Sequence, residues 1–262
     1  MKYKDFEGEI EDLVRLKLDE IEEKEHVRIL HAVESGSRAW GFASPDSDYD
    51  VRFIYVKKKE DYLRLETTRD TIDWDLDETL DINGWDIKKV LQHFHKSNAT
   101  IFEWANSPIV YKTTDDWKKI YEVGKQYFSC KSSMYHYYGT AQKTYNEYQD
   151  TDSVKYKKYF YALRPILAAK WIEKKKCPPP VLFKDLVDEV LEDEMKNPVA
   201  SLVEQKVKMA ESDKAPKIDV ISNYLAENIA YYKGLMGEWQ IDDRKPEWYE
   251  LDKAFWELIR ES

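Results

Sequence analysis

Sixteen residues constrain this chain more than any other stretch: Ser35 to Asp50, reading Ser-Gly-Ser-Arg-Ala-Trp-Gly-Phe-Ala-Ser-Pro-Asp-Ser-Asp-Tyr-Asp, held between two apolar runs. The run before them, residues 26–34, carries Val27, Ile29, Leu30 and Val33, and the run after, residues 51–56, carries Val51, Phe53, Ile54 and Tyr55. Short apolar runs bounded by Gly, Ser and Asp predict buried strands. Between them Gly36-Ser37 lets the backbone turn and approach a ligand closely, and Arg38 to Phe42 predicts the start of a helical turn. Exposed amides at such a turn face an anion.

Asp48 and Asp50 flank Tyr49 at the start of the second strand. Side chains alternate across a strand, so residues two apart share a face, roughly 7 Å apart along the backbone. Two acids placed so repel each other unless a cation sits between them. A hard cation such as Mg²⁺, with Mn²⁺ as the alternative, suits one or two carboxylates completed by waters and phosphates. A phosphate cradle followed by an acid pair describes a nucleoside triphosphate site. The plainer alternative is a common Gly-Ser turn and a solvated Ser-Pro-Asp-Ser-Asp loop.

Gly36-Ser37, the ten-residue spacer and Asp48-Tyr49-Asp50 resemble the signature of the polymerase-β-like nucleotidyltransferase superfamily. Within it, Glu34 to Phe42 together with Ser47 to Arg52 is similar to the family known as predicted nucleotidyltransferases or polymerase-β-type proteins of RNA repair pathways. Asp81 to Lys89, running on to Asn98 and Glu103, and Lys158 to Pro165 resemble the same family, and the likeness extends over about residues 34–180. The resemblance implies an α+β catalytic core with a mixed antiparallel sheet, and transfer of a nucleoside monophosphate from a triphosphate. Such sites use a third carboxylate from a neighbouring strand and two Mg²⁺ ions. Adjacent strands lie about 4.8 Å apart, so Asp81 is assigned as that ligand, ahead of the alternative Asp86. Gly36 and Ser37 are expected to hold the β- or γ-phosphate, with Arg38 countering its charge and Ser47 orienting Asp48. Arg52 is expected either to pair with the acids or to touch the triphosphate.

Composition narrows the setting. Lys and Arg total 41 against 51 Asp and Glu, a net charge of −10. That balance does not suit a protein coating long nucleic acid, whose affinity comes mainly from neutralised phosphates. Cys130 and Cys177 fit neither a disulfide framework nor a zinc site, and no apolar run reaches membrane-spanning length. A soluble, cytoplasmic chain without a membrane partner is expected. The five histidines show no metal-ligand spacing.

Along the chain, residues 3–25 predict an amphipathic helix packed on one face of the sheet. Residues 79–84 alternate as a strand, Asp86 stands where a helix N-cap belongs, and Asn98 caps a further helix over residues 98–106. Glu103 is expected as a hydrogen-bonded structural acid. Residues 108–111 predict either a closing strand or a simple crossing. After Thr114 the pattern turns helical: residues 117–125, 132–149, 154–175, 183–192, 203–210, 218–236 and 248–259. The expected division is a catalytic domain over residues 1–113 and a helical domain over residues 114–262 that closes the nucleotide cleft.

In the helical half, Lys157, Tyr161 and Arg164 recur on one face. Tyr161 is expected to stack on a base and Arg164 to reach a phosphate. The resemblance adds Lys158 to this group and leaves Tyr135 and Tyr138 to the core. Three acceptors stay open: an RNA end, favoured by the family's association, a protein hydroxyl, and a small molecule. A non-catalytic nucleotide sensor is the rival reading. An interaction module is a third, and it would need an exposed apolar patch around Trp239, Trp248 and Trp256, each of which is expected in the core.

Overall fold

A computed structural model describes residues 6–44, 46–74, 79–208, 214–238 and 247–260, without the side chains of 207, 208 and 238. In chain order its helices are α1 (Ile10–Glu25), α2 (Gly36–Trp40), α3 (Lys59–Tyr62), α4 (Ile87–His95), α5 (Ala99–Ala105) and α6 (Asp115–Gly124). There follow α7 (Cys130–Asn146), α8 (Tyr156–Lys175), α9 (Phe183–Val190), α10 (Asp193–Lys208), α11 (Asp219–Glu238) and α12 (Tyr249–Arg260). Strands β1 (Arg28–Glu34), β2 (Tyr49–Val56), β3 (Thr71–Trp74), β4 (Leu80–Asp86) and β5 (Val110–Thr113) form one sheet in the order β3-β4-β2-β1-β5. The α+β architecture is the one expected.

Strand β1 pairs antiparallel with β2 and with β5, whereas β2 and β4 run parallel. Parallel neighbours need a crossover, and the connection between them carries α3 and the edge strand β3. The central strands are covered on both faces, which is why their apolar runs are nearly continuous. On one face α1 buries Leu13, Val14, Leu18 and Ile21 against Ile29, Ala32, Val51, Phe53 and Ile82. On the other, Leu30, Val33, Ile54 and Val56 meet Val90, Phe94, Trp117, Ile120, Leu251 and Leu258 from α4, α6 and α12.

Local capping fixes where several helices begin. The Asp86 carboxylate accepts from Lys88 N–H at 2.8 Å, and Asn98 Oδ1 accepts from Thr100 N–H at 2.9 Å, as the sequence predicts. Thr114 and Ser129 do the same for α6 and α7.

Contacts gather the chain into two compact units: residues 1–39, 48–128 and 245–262, and residues 40–47 with 129–244. The expected boundary at 113/114 therefore moves to 128/129. The helix after Thr113 is part of the sheet's packing, since Trp117 and Ile120 are core residues there. The last helix also belongs to the sheet unit, through Leu251, Leu258 and Ile259.

The second unit is built on α7 and α8, the latter burying Phe160, Leu163, Ile166 and Leu167. Strands β6 (Ser153–Lys155) and β7 (Lys214–Pro216) pair antiparallel in what was expected to be a purely helical half. Three residues are too few to show alternation. Helix α10 starts about ten residues before the expected residue 203, because Pro198 reads as a break yet lies inside it. Tyr135, expected in the core, is exposed, and the neighbouring Met134 and Tyr137 take the buried face of α7. Trp256 is also exposed, at 55%, because α12 packs through its leucines and Ile259, and Trp248, just before that helix, is 42% exposed with its ring stacked on His95. Trp239 and residues 209–210 lie outside the described residues. Among the described residues neither Cys130 nor Cys177 forms a disulfide, and no helix is long and apolar enough to cross a membrane.

One buried titratable group ties β1 to the sheet's edge. The His31 ring lies 3.2 Å from Thr113 Oγ1 and 3.3 Å from the Trp104 carbonyl, and it stacks on Trp117. Burial pushes its pKa down to about 4, against partial opposition from backbone hydrogen bonds to Trp104 and Lys112. A depressed value means stability that is full above 6.5 and is lost as pH falls through about 4. A shift of this size corresponds to on the order of 3 kcal/mol. Urea unfolding at stepped pH between 7 and 4 should show this decline, and His31→Phe should flatten it while lowering stability at pH 7.

Candidate active site

The site grows from the register of three strands. Asp50 and Arg52 fall on one face of β2, and the parallel pairing of β2 with β4 sets Asp81 directly beside Asp50. The acid two residues before Asp50, Asp48, is exposed just ahead of the strand. Its carbonyl accepts from Arg38 Nε at 3.0 Å, and the Arg38 guanidinium lies 3.6 Å over the Tyr49 ring. The turn after β1 is thus clasped to the start of β2.

Glu34, the last residue of β1, supplies the second clasp. It is buried at 1% exposure. Its Oε1 accepts from Asp50 N–H at 2.8 Å and its Oε2 from the Tyr111 hydroxyl at 2.5 Å. Ser35 N–H then donates to the Asp50 carbonyl at 2.8 Å. Burial pushes the Glu34 carboxyl up to about 6, offset in part by those two donors and reinforced by the charge of Asp50. The motif contained Glu34, but its spacing gave the residue no role. An acid closing an apolar strand immediately before Gly-Ser was the available signal.

Gly36 completes the turn with φ +62°, a left-handed conformation that favours glycine. A Cβ there would stand inside van der Waals contact of Asp50 Oδ2 and 3.3 Å from its Cγ. Glycine is therefore required both by the backbone and by the carboxylate behind it. Ser37 is buried beside it.

Between the acids lies a guanidinium. Arg52 Nη2 donates to Asp50 Oδ1 at 2.9 Å and to Asp81 Oδ2 at 2.8 Å, and Nη1 donates to the carbonyls of Val51 and Asp81. The Asp50 carboxyl is still held above its usual range. Burial is the largest cause, and the charges of Asp81 and Asp48 add to it against the opposing pull of Arg52. Among the described residues no three Asp, Glu, His or Cys side chains are gathered as a metal cage. The Asp50–Asp81 pair does bring two carboxylates side by side, oxygen donors of the type a hard cation takes, and here they share the Arg52 guanidinium.

Asp86 takes no part in this pair. It lies opposite Tyr55, five positions beyond Asp81 on β4, or roughly 16 Å along the strand. There it is buried, capping α4 and accepting from the Tyr62 hydroxyl at 3.0 Å.

The remaining expected site residues belong to the second unit. Ser47 Oγ accepts from Ser44 N–H at 3.0 Å and lies 3.0 Å from Ser44 Oγ, so it closes the turn before Asp48. Lys206, buried at 1% exposure, donates to Ser44 Oγ at 2.9 Å across 162 positions of sequence, a contact no local signal could reveal. Lys158 pairs with Glu147 at 2.8 Å. Tyr161 is exposed and sits edge-on to Trp40. Arg164, expected to reach a phosphate, is only 2% exposed, with its guanidinium 4.5 Å over Trp40 and its Nε 3.3 Å from the Val181 carbonyl. Helix α8 is buried from Ala162 to Ala169, so the face bearing Tyr161 at its edge sinks inward by Arg164.

A mixed sheet with a Gly-Ser turn between its two central strands is the fold class expected of a polymerase-β-type nucleotidyltransferase. A family model described as "RNA repair pathway DNA polymerase beta family" matches residues 10–257, and the chain belongs to that family. It is 45% identical over 215 residues to the Uncharacterized protein YcgL of Bacillus subtilis (strain 168), covering 81% of this chain and 83% of that one. A crystallised nucleotidyltransferase-like protein from Exiguobacterium sibiricum 255-15 aligns with 97% of this chain and 81% of its own. The TM-score of 0.30 and 14% identity leave that likeness without weight.

Proposed function

We propose that this chain transfers a nucleoside monophosphate from a nucleoside triphosphate to a hydroxyl acceptor, with an RNA end favoured, as a nucleotidyltransferase of the EC 2.7.7 type. The acceptor oxygen bonds to the α-phosphorus, the bond to the β-phosphate breaks, and pyrophosphate leaves while the hydroxyl proton passes to solvent. The observation that carries this reading is the side-by-side pairing of Asp50 with Asp81 around a cation, next to a left-handed Gly36. Family membership supports the reaction type, and the family's RNA-repair description supports the acceptor.

Asp48, Asp50 and Asp81 would hold Mg²⁺, or Mn²⁺ in its place. Bound there, the metal ions would lower the pKa of the attacking hydroxyl and stabilise charge on the α-phosphate and the departing pyrophosphate. The protein's own groups act by position. Gly36 and Ser37 hold the β- or γ-phosphate, and Arg38 adds countercharge while keeping Asp48 in place. Glu34 fixes the Asp50 backbone so that its carboxylate keeps one aim. The net charge of −10 favours a short RNA end over a long nucleic-acid footprint. Protein and small-molecule hydroxyls are the other acceptors.

A nucleotide sensor without turnover is the second reading, favoured by Arg52 filling the space between the acids. The deciding experiment offers each ribonucleoside triphosphate with Mg²⁺, an RNA pool and cell extract to the wild type and to Asp48→Asn. Asp48-dependent pyrophosphate release is expected, with α-phosphate label appearing on RNA. Triphosphate binding without release would favour the sensor. Label on protein or small molecules alone would move the acceptor.

A further inference from the structure

Arg52 makes four hydrogen bonds in and around the acid pair, to two carboxylate oxygens and two carbonyls, at 2.8 to 3.2 Å. Its side chain is only 18% exposed. Although Asp81 is 61% exposed, the same Nη2 serves both acids, from the point where a shared divalent cation would sit. A divalent metal bridging the pair through Asp50 Oδ1 and Asp81 Oδ2 cannot share that point with the guanidinium.

We infer that Arg52 is the resident cation of the Asp50–Asp81 pair, so that a divalent metal binds there by displacing it. This rests on the metal reading of the site given above. Arg52 then sets the metal affinity of the free protein. Without it, two facing carboxylates would repel each other and await a replacement charge. With it, an entering ion must first break two charge-assisted hydrogen bonds. The displaced guanidinium remains anchored two residues from Asp50, on the same strand face, where it can meet the negative charge of an arriving triphosphate.

The test reads metal binding directly, by Mn²⁺ titration of the nucleotide-free full chain followed by electron paramagnetic resonance. Arg52→Gln is expected to bind Mn²⁺ about tenfold or more tightly than the wild type. Its melting temperature should be lowered without metal and restored by it. Arg52→Lys keeps one positive charge but loses the planar fork, so it should fall between the two. It also supplies the comparison if the glutamine variant does not fold. Adding Asp50→Asn to Arg52→Gln should abolish the gain, which places the ion at the pair.

Wild-type binding with unchanged or weaker affinity in folded Arg52 variants would overturn the inference alone. The salt bridge would then be structural, or Arg52 would assist the metal. No Mn²⁺ binding by any of these proteins would overturn the metal reading of the site as well.

Discussion

Asp50→Asn is expected to lower nucleotidyl transfer by on the order of 10³-fold while leaving the protein at least as stable as the wild type. The two halves of this result have one cause. Asp50 is held above the usual carboxylate range, so its ionised form is disfavoured by the fold. A raised value means stability that is present below 3.8 and is lost as pH rises through the folded value, so at neutral pH the wild type already bears the cost. Asparagine keeps the shape and removes the charge that a metal and its phosphates would need, while Arg52 retains Asp81. Pyrophosphate release and thermal melting at pH 7.5 read both effects together. A large fall in melting temperature would show that Asp50 serves the fold. Unchanged release would remove it from the chemistry.

The second large effect is expected from one methyl group. Gly36→Ala must place a side chain at φ +62° and against the Asp50 carboxylate. The left-handed backbone costs about 1–2 kcal/mol. The Asp50 backbone is held by Glu34 and Ser35, so it cannot move aside. Its carboxylate must swing instead, and a displacement of about 1 Å in such a group can cost on the order of 10²-fold in rate. Urea unfolding should show the loss of stability, and Mn²⁺ titration should show weakened binding. Stability and metal affinity equal to the wild type would mean that the turn relaxes freely and is no cradle.

What the sequence made legible here is what local chemistry decides. The strand runs around the Gly-Ser turn, the cap at Asp86 and the cap at Asn98 each depend on residues within a few positions, and each stands where expected. The pairing of Asp81 with Asp50 followed from a resemblance, and register bears out that the two acids are neighbours. Arg52 left two readings open, because a strand shows which face a side chain takes but not which rotamer a neighbouring strand selects. Arg164 went the other way. Helical spacing put it on Tyr161's face, but the depth of a helix in its bundle is set by distant packing, and α8 is buried at that turn. Glu34 and Lys206 were silent for the same reason, since their partners come from β2, β5 and the segment before Asp48.

The placement of residues 40–47 has a consequence for how the chain is made. This short piece sits in sequence between the glycine turn and the acid strand, yet it is sheltered by Phe160, Phe183 and Lys206. A ribosome that has delivered the whole Gly-Ser-to-Asp signature has therefore not yet delivered what holds its middle. The sheet unit waits longer still, for its final helix at residues 249–260. Assembly is thus a late event that closes long loops, the kind of topology that folds slowly. A fragment cut at residue 128 would carry every acid of the site and still leave the loop that leads into Asp48 without its shelter.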